Sequence, residues 1–276
     1  MQSIVSLLDD KISLLPFWGI ILIYMGVLLV MAILAAWKKW LTGSGILGAV
    51  TLGFMVLYLG GFSCFVIFLF FFVSCSVLSK IKRAYNSREK KGSQRDLMQV
   101  IANGLPAVLA LLLSRTPSFR SIAVIAFSAS VAEAVADTFS STFGIMSRHD
   151  PVSIITFTRV PKGISGGVTI LGLVAGAAGA VITAILHAFV IYSDWHHVLI
   201  ISGTGFIASV IDSVLGATVQ EHFRTKDGTL TEHEWNGDER NMRVRGIPGF
   251  DNDMVNLTSG LLALSLSLLL TSLTVR

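Results

Sequence analysis

Charge is scarce in this chain. Only 14% of its 276 residues are Asp, Glu, Lys or Arg, whereas a soluble domain carries about 25%. Mean hydropathy is +0.73, so a water-soluble globule is excluded. Cysteine is almost missing. Cys64 and Cys75 lie in one apolar run and read as small buried or lipid-facing side chains, which leaves no disulfide framework or metal-binding spacing. No cleavable signal is evident at the start, where Asp9 and Asp10 sit in an amphipathic stretch instead of a basic region before an apolar core. An Arg/Ser-rich organellar transit segment is also missing, and a prokaryotic plasma membrane is the expected location. A formal charge of +4 would point to nucleic acid in a soluble protein. Here basic loops facing the cytoplasm account for it, and no nucleic-acid partner is expected.

What the chain has in abundance is apolar sequence. A crossing of the hydrocarbon layer takes about 20 apolar residues. Eight stretches qualify: Phe17–Ala36, Gly45–Leu59, Gly61–Leu78, Val100–Leu113, Ile122–Ala136, Gly166–Tyr192, Val198–Ala217 and Met254–Leu273. The expected fold is an all-α, polytopic bundle with its site at the cytoplasmic ends of the helices. Residues 1–16 form an amphipathic segment on the surface, 17–78 the first three transmembrane helices, and 79–97 a basic cytoplasmic loop. Residues 98–276 then form a core with cytoplasmic loops at 138–165 and 218–250. Placing Lys38 and Lys39 inside puts all but Lys11, Arg115, Arg120 and Arg276 of the 21 Lys and Arg residues on the same side. That bias orients the bundle and leaves both termini outside.

Carboxylates near such spans need a reason, because a charge at the bilayer centre costs at least about 2.5 kcal/mol. Glu133, Asp137, Asp212, Asp251 and Asp253 all fall at or near the expected cytoplasmic ends. Glu133 and Asp137 are four apart and share a helix face. Followed by Thr138, they offer the hard oxygen surface that suits Mg2+, or else they cap and snorkel at the interface. Asp212-Ser213 closes the seventh span in similar fashion, as a weak parallel repeat or by chance. Asp251 reads as part of this acidic group or else as a plain helix cap, whereas Asp253 and Asn256 share one face, with Asn252 beside them.

The segment Lys162-Gly163-Ile164-Ser165-Gly166-Gly167 has the composition of a phosphate cradle, with backbone N–H groups, a cation and a hydroxyl before a helix start. It lacks Walker A spacing and also reads as a plain hinge. The basic run from Lys80 to Arg95 reads mostly as a solvated stretch facing anionic lipid. Within it, Arg95 stands near Gln99, Asn103 and Gly104 and is the residue placed to face a substrate. His187, His196, His197, His222 and His233 receive no role. Carboxylates, Mg2+ and basic groups together are equipment for phosphoryl transfer, and long apolar helices beside them can hold a lipid tail.

Four ordered motifs resemble a widespread integral membrane family that includes plant phytyl-phosphate kinase and is distantly similar to the CTP-dependent dolichol and phytol kinases. They are Ala132-Glu133-Ala134-Val135-Ala136-Asp137-Thr138 running to Gly144, Gly163-Ile164-Ser165-Gly166-Gly167-Val168, Asp212-Ser213-Val214-Leu215-Gly216-Ala217 with Gln220, and Asp251-Asn252-Asp253 running to Asn256. The resemblance covers about residues 40–275. It implies an Mg2+-dependent kinase that passes a phosphoryl group from CTP or another nucleoside triphosphate to an isoprenoid monophosphate in the membrane. Glu133, Asp137, Asp212 and Asp253 would hold metal. Lys162, Gly163, Ser165, Gly166, Gly167, Thr138, Ser213, Asn252 and Asn256 would hold nucleotide or phosphate. Arg95, Asn103 and Gly104 would hold the acceptor, with Asp137, Asp212 and Lys162 catalytic. The family often carries Glu where Thr142 stands here, which leaves metal number and nucleotide choice open. A monophosphate acceptor is favoured because it is already largely ionised at neutral pH, whereas an alcohol needs a base; Asp137 or Asp212 could serve as one, which leaves an alcohol kinase open. A lipid or cation-coupled transporter and a cytidylyltransferase acting on a lipid phosphate are the alternatives.

Overall fold

The computed structural model describes residues 3–85, 94–191 and 194–274. Arg88, Lys90 and Lys91 of the basic run, and Tyr192, lie outside the described residues. Ser3 caps the amphipathic helix α1 (Ile4–Ser13) by accepting the Ser6 N–H. Pro16, which cannot continue that helix, precedes α2 (Phe17–Trp37), a 21-residue apolar helix. The next helix, α3 (Gly43–Tyr85), holds 43 residues. Straight, it would run about 65 Å, twice the hydrocarbon layer. Gly61 ends that problem with φ 68°, a conformation that side chains with a Cβ resist. Residues 43–60 and 62–85 fold back on one another there, so that Lys80 Nζ donates to the Lys38 carbonyl at 2.5 Å.

The surface helix is tied to this turn. Asp9 of α1 accepts the Phe62 N–H at 2.6 Å, the Ser63 N–H at 3.0 Å and the Ser63 hydroxyl at 2.6 Å. It caps the second half of α3, whose first N–H groups have no partner within the helix.

The remaining helices are α4 (Leu97–Leu113), α5 (Arg120–Met146), α6 (Ile170–Val190), α7 (Trp195–Thr218) and α8 (Asn252–Thr274). Among the described residues six helices are long and apolar enough to cross a membrane. Counting both arms of α3, and the 17-residue α4, the eight expected segments are all present. The protein is a polytopic helical membrane protein. The bundle wraps α5, which packs on α3, α4, α6, α7 and α8. Its Ala- and Ser-rich middle, buried on every side from Ile125 through Ala136, lets neighbouring backbones approach closely. A methyl group on Gly205 of α7 would stand 2.7 Å from the Ala132 methyl, and one on Gly172 of α6 would stand 2.8 Å from the Ser140 carbonyl.

Several boundaries differ from expectation. Helix α5 continues through 138–146, so the first loop starts at Ser147 and not at 138, because Phe139, Phe143 and Ile145 extend its apolar face. The expected basic loop at 79–97 is helical through Tyr85 and again from Leu97. The loop between α5 and α6 carries a two-stranded pair, β1 (Val152–Ser153) with β2 (Gly167–Val168). The loop between α7 and α8 is ordered around a sheet: β3 (His222–Arg224) lies between β4 (Leu230–Thr231) and β7 (Met242–Arg245). A small hairpin of β5 (Trp235–Asn236) and β6 (Glu239–Arg240) lies alongside.

Candidate functional site

Helix α5 brings Glu133 to its own midpoint. The sequence reading placed Glu133 near a helix end, and the length of α5 overturns that. Glu133 is 3% exposed and Asp212 of α7 8%. Between them stands Ser259 of α8, whose oxygen lies 2.8 Å from Glu133 Oε1 and 3.0 Å from Asp212 Oδ2. It also lies 3.1 Å from the Asn256 carbonyl. The floor is closed by small residues: a methyl on Gly260 would meet Pro106 of α4 at 2.8 Å and Glu133 Oε2 at 3.6 Å. One turn further along α5, Asp137 stands beside Asp212, with Lys82 and Arg95 near enough for their charges to act on it. Ser259 sits about two turns inside α8, so the cluster lies within the half of the bundle nearer the two ordered loops.

Ser259 was missed from the sequence. Helix α8 also carries Ser265, Ser267 and Ser272, and nothing local distinguishes the one that meets two carboxylates.

All donors here are oxygens, the chemistry hard divalent cations take. Among the described residues no group of three or more His, Cys, Asp or Glu is gathered so as to hold a metal. Mg2+ is commonly bound by one or two carboxylates together with phosphate oxygens and water. The Asp137–Asp212 pair, with Glu133 and Ser259 behind it, meets that requirement. Asp253 is elsewhere: its charged neighbours are Asp251 and Asp96. Asp251 caps α8 by accepting the Met254 N–H at 3.0 Å, and Asn252 is the first residue of that helix.

The acceptor set comes together only in part. Arg95 is held by backbone bonds to Trp40 and Thr42, and its guanidinium donates to Ser79 Oγ at 2.9 Å and to the Cys75 carbonyl at 3.3 Å. Asn103 spends its amide on Gln99 of its own helix. Gly104 is not at a binding surface: Leu52 and Phe68 close over it, which makes it a packing glycine. Thr138 donates to Ala134 within α5, as buried hydroxyls in apolar helices do. Ser213 is half-buried beside Asp212.

The glycine segment does not run straight into α6. β2 and Thr169 intervene, and Thr169 caps α6 by accepting the Gly172 N–H at 3.0 Å. The loop turns at Gly163 (φ 84°) and Gly166 (φ 83°) and presses on the last turn of α7, where Gly166 meets Ala217. Lys162 Nζ donates to the Ser147 carbonyl at 2.5 Å and the Ile145 carbonyl at 3.4 Å. It thereby satisfies the end of α5 instead of pointing into the loop. The Ser165 N–H, however, already holds an anion: it donates to Glu232 Oε1 at 2.7 Å. Beside it His222, fully buried, donates from Nδ1 to the Gln220 carbonyl at 3.0 Å and accepts at Nε2 from Arg245 at 3.1 Å. Burial holds the His222 pKa below its ordinary 6.5, and the Arg245 charge adds to this. At the far side His187 and His197 meet edge-on, with His187 bonded to Ser128.

The class these features define is a polytopic membrane protein with a buried carboxylate cluster beneath ordered loops. The chain belongs to the DUF92 family of integral membrane proteins, whose match runs over residues 26–264 and so takes in every carboxylate of the cluster. It is similar to Protein PGR of Arabidopsis thaliana, 30% identical over 76% of this chain and 83% of that protein. It is also similar to an uncharacterized membrane protein of Methanocaldococcus jannaschii, 32% identical over 69% of this chain and 79% of that protein. A third relative, an uncharacterized membrane protein of Synechocystis, is 31% identical over 66% and 73% respectively. No solved structure matches the chain.

Proposed function

We propose that this protein transfers a phosphoryl group from a nucleoside triphosphate, CTP or another, to an isoprenoid monophosphate at the cytoplasmic face of a plasma membrane. The observation that carries the reading is the pairing of Asp137 with Asp212 beside a loop whose backbone already binds an anion. In the reaction an oxygen of the prenyl phosphate attacks the γ-phosphorus. The bond to the β,γ-bridging oxygen breaks, and the products are the prenyl diphosphate and a nucleoside diphosphate. Asp137 and Asp212 would hold Mg2+, which when bound neutralises charge on the transferring group. Arg95 adds positive charge on the acceptor side. An apolar crevice of about 50 Å3 between α2 and α3 starts at Leu41 and Ile46, next to the backbone that fixes Arg95, and offers a course for part of an isoprenoid tail.

The test is incubation of purified protein with labelled CTP, ATP or GTP, Mg2+ and short prenyl monophosphates, followed by separation of the lipids. A prenyl diphosphate is expected, with loss of product in Asp137→Asn. No diphosphate with any nucleotide rejects the proposal, and release of pyrophosphate with a nucleotidyl lipid establishes the cytidylyltransferase instead. A second reading, cation-coupled transport, is favoured by one observation: Glu133 lies midway along a helix and is buried, where coupling carboxylates of transporters stand. Substrate uptake into proteoliposomes driven by an ion gradient, in the absence of nucleotide, would decide for it.

A further inference from the structure

The seam between the Gly163–Gly167 loop, the end of α7 and the small sheet is built for an anion larger than the one it holds. Glu232, just beyond β4, places Oε1 2.7 Å from the Ser165 nitrogen but 3.9 Å from His222 Nε2. Arg245 lies close enough to feel the Glu232 charge, yet its guanidinium bonds His222 and the Gly216 carbonyl. Gln220 is 1% exposed, and its amide oxygen has no hydrogen-bond partner. That oxygen faces the same seam: the position a Gly216 Cβ would take lies 3.3 Å from it, 2.9 Å from Ser165 Cβ and 3.2 Å from the Gly166 nitrogen. A buried polar atom left unpaired costs stability, so this one needs a reason.

A tethered carboxylate has two oxygens at the end of a short stem and reaches one donor. A phosphate has three terminal oxygens and about twice the charge. It can take the Ser165 N–H, the arginine and the amide together, and the amide can present its oxygen or its nitrogen by a half rotation. Strand β4 is two residues long and pairs on one side only, so Glu232 can withdraw without unravelling the bundle.

We propose that this seam is a phosphate-binding site formed by the Ser165 N–H, the Arg245 guanidinium and the Gln220 amide, in which the Glu232 carboxylate stands in until a phosphate group displaces it. The phosphoryl-transfer reading supplies two sources for the phosphate, a nucleotide polyphosphate or a lipid headgroup, and the proposal rests on that reading for this choice alone.

Calorimetric titration of the purified full chain in detergent with inorganic pyrophosphate, CTP and a short prenyl monophosphate separates the cases. Without its internal competitor, Glu232→Gln should bind at least one probe about tenfold more tightly. Arg245→Gln should bind the same probe about tenfold more weakly, and Arg245→Lys should recover part of the loss. Tightening of CTP and pyrophosphate assigns the site to the nucleotide, and tightening of the prenyl phosphate alone assigns it to the headgroup. Unchanged or weaker binding of all three probes in Glu232→Gln overturns the proposal, as does absence of binding in both proteins. A melting curve of Glu232→Gln matching wild type excludes misfolding. Diphosphate product without any effect of Glu232→Gln leaves the kinase reading standing and removes this one; tighter binding without product does the reverse.

Discussion

Replacing Glu133 by glutamine keeps the side chain's shape and its contact with Ser259 while removing one of a group of neighbouring acidic side chains. The Ser259 oxygen lies within 2.8–3.1 Å of Glu133, Asp212 and the Asn256 carbonyl. A hydroxyl has a single proton to donate, so three acceptors compete for one donor. A carboxylate in an apolar bundle costs at least about 2.5 kcal/mol on insertion scales, and a like charge alongside adds to that. Relief of that cost should raise the unfolding free energy of Glu133→Gln, measured in detergent with chelator, by about 1–3 kcal/mol. Added Mg2+ should narrow the gap or reverse it. A cation at 100 times its Kd stabilises the folded protein by about 2.7 kcal/mol, and the variant, short of one carboxylate, should gain less than half of it. Denaturant unfolding of both proteins with and without Mg2+ reads both effects. A variant less stable than wild type in chelator would show that a base already compensates Glu133. Equal Mg2+ stabilisation of the two would remove Glu133 from the cation site.

Three further outcomes are expected. Asp9→Ala should cost about 1–3 kcal/mol, because one carboxylate caps two backbone N–H groups and a hydroxyl at the Gly61 turn; thermal unfolding showing no change would contradict the docking of α1. Gly205→Leu should abolish folding, with Gly205→Ala intermediate, since even a methyl stands 2.7 Å from Ala132 and overpacking of this kind is felt strongly; the yield of monodisperse protein after detergent extraction measures it. His222 is held below its ordinary pKa, chiefly by burial. The unfolded chain therefore takes up a proton that the folded loop resists, so this contribution to stability is complete above about pH 6.5 and declines as pH falls below it. Unfolding curves between about pH 7 and pH 5 should flatten in His222→Asn.

The membrane-spanning character, the number of apolar segments and the bias of basic residues were all legible along the chain, because insertion depends on the composition of each segment by itself. The caps are equally local, yet the sequence leaves Asp251 open between a site residue and a cap, and the structure has it serve the residue three further on. Helix ends were less legible, since α5 runs on through Phe139 and Phe143 past the point where polar residues suggested a loop. The residues named for the site fared unevenly. Glu133, Asp137 and Asp212 meet, whereas Gly104 is closed by Leu52 and Phe68, and Lys162 turns to the end of α5. What only the tertiary structure decided are the contacts that give the site its chemistry. Ser259 reaches Glu133 across 126 residues of sequence, and Glu232 reaches Ser165 across 67. Those pairings depend on how closely helices approach through small residues such as Gly205 and Gly260, and on where a loop sheet rests on α7. Such geometry is a property of several segments at once, and no single stretch of the chain carries it.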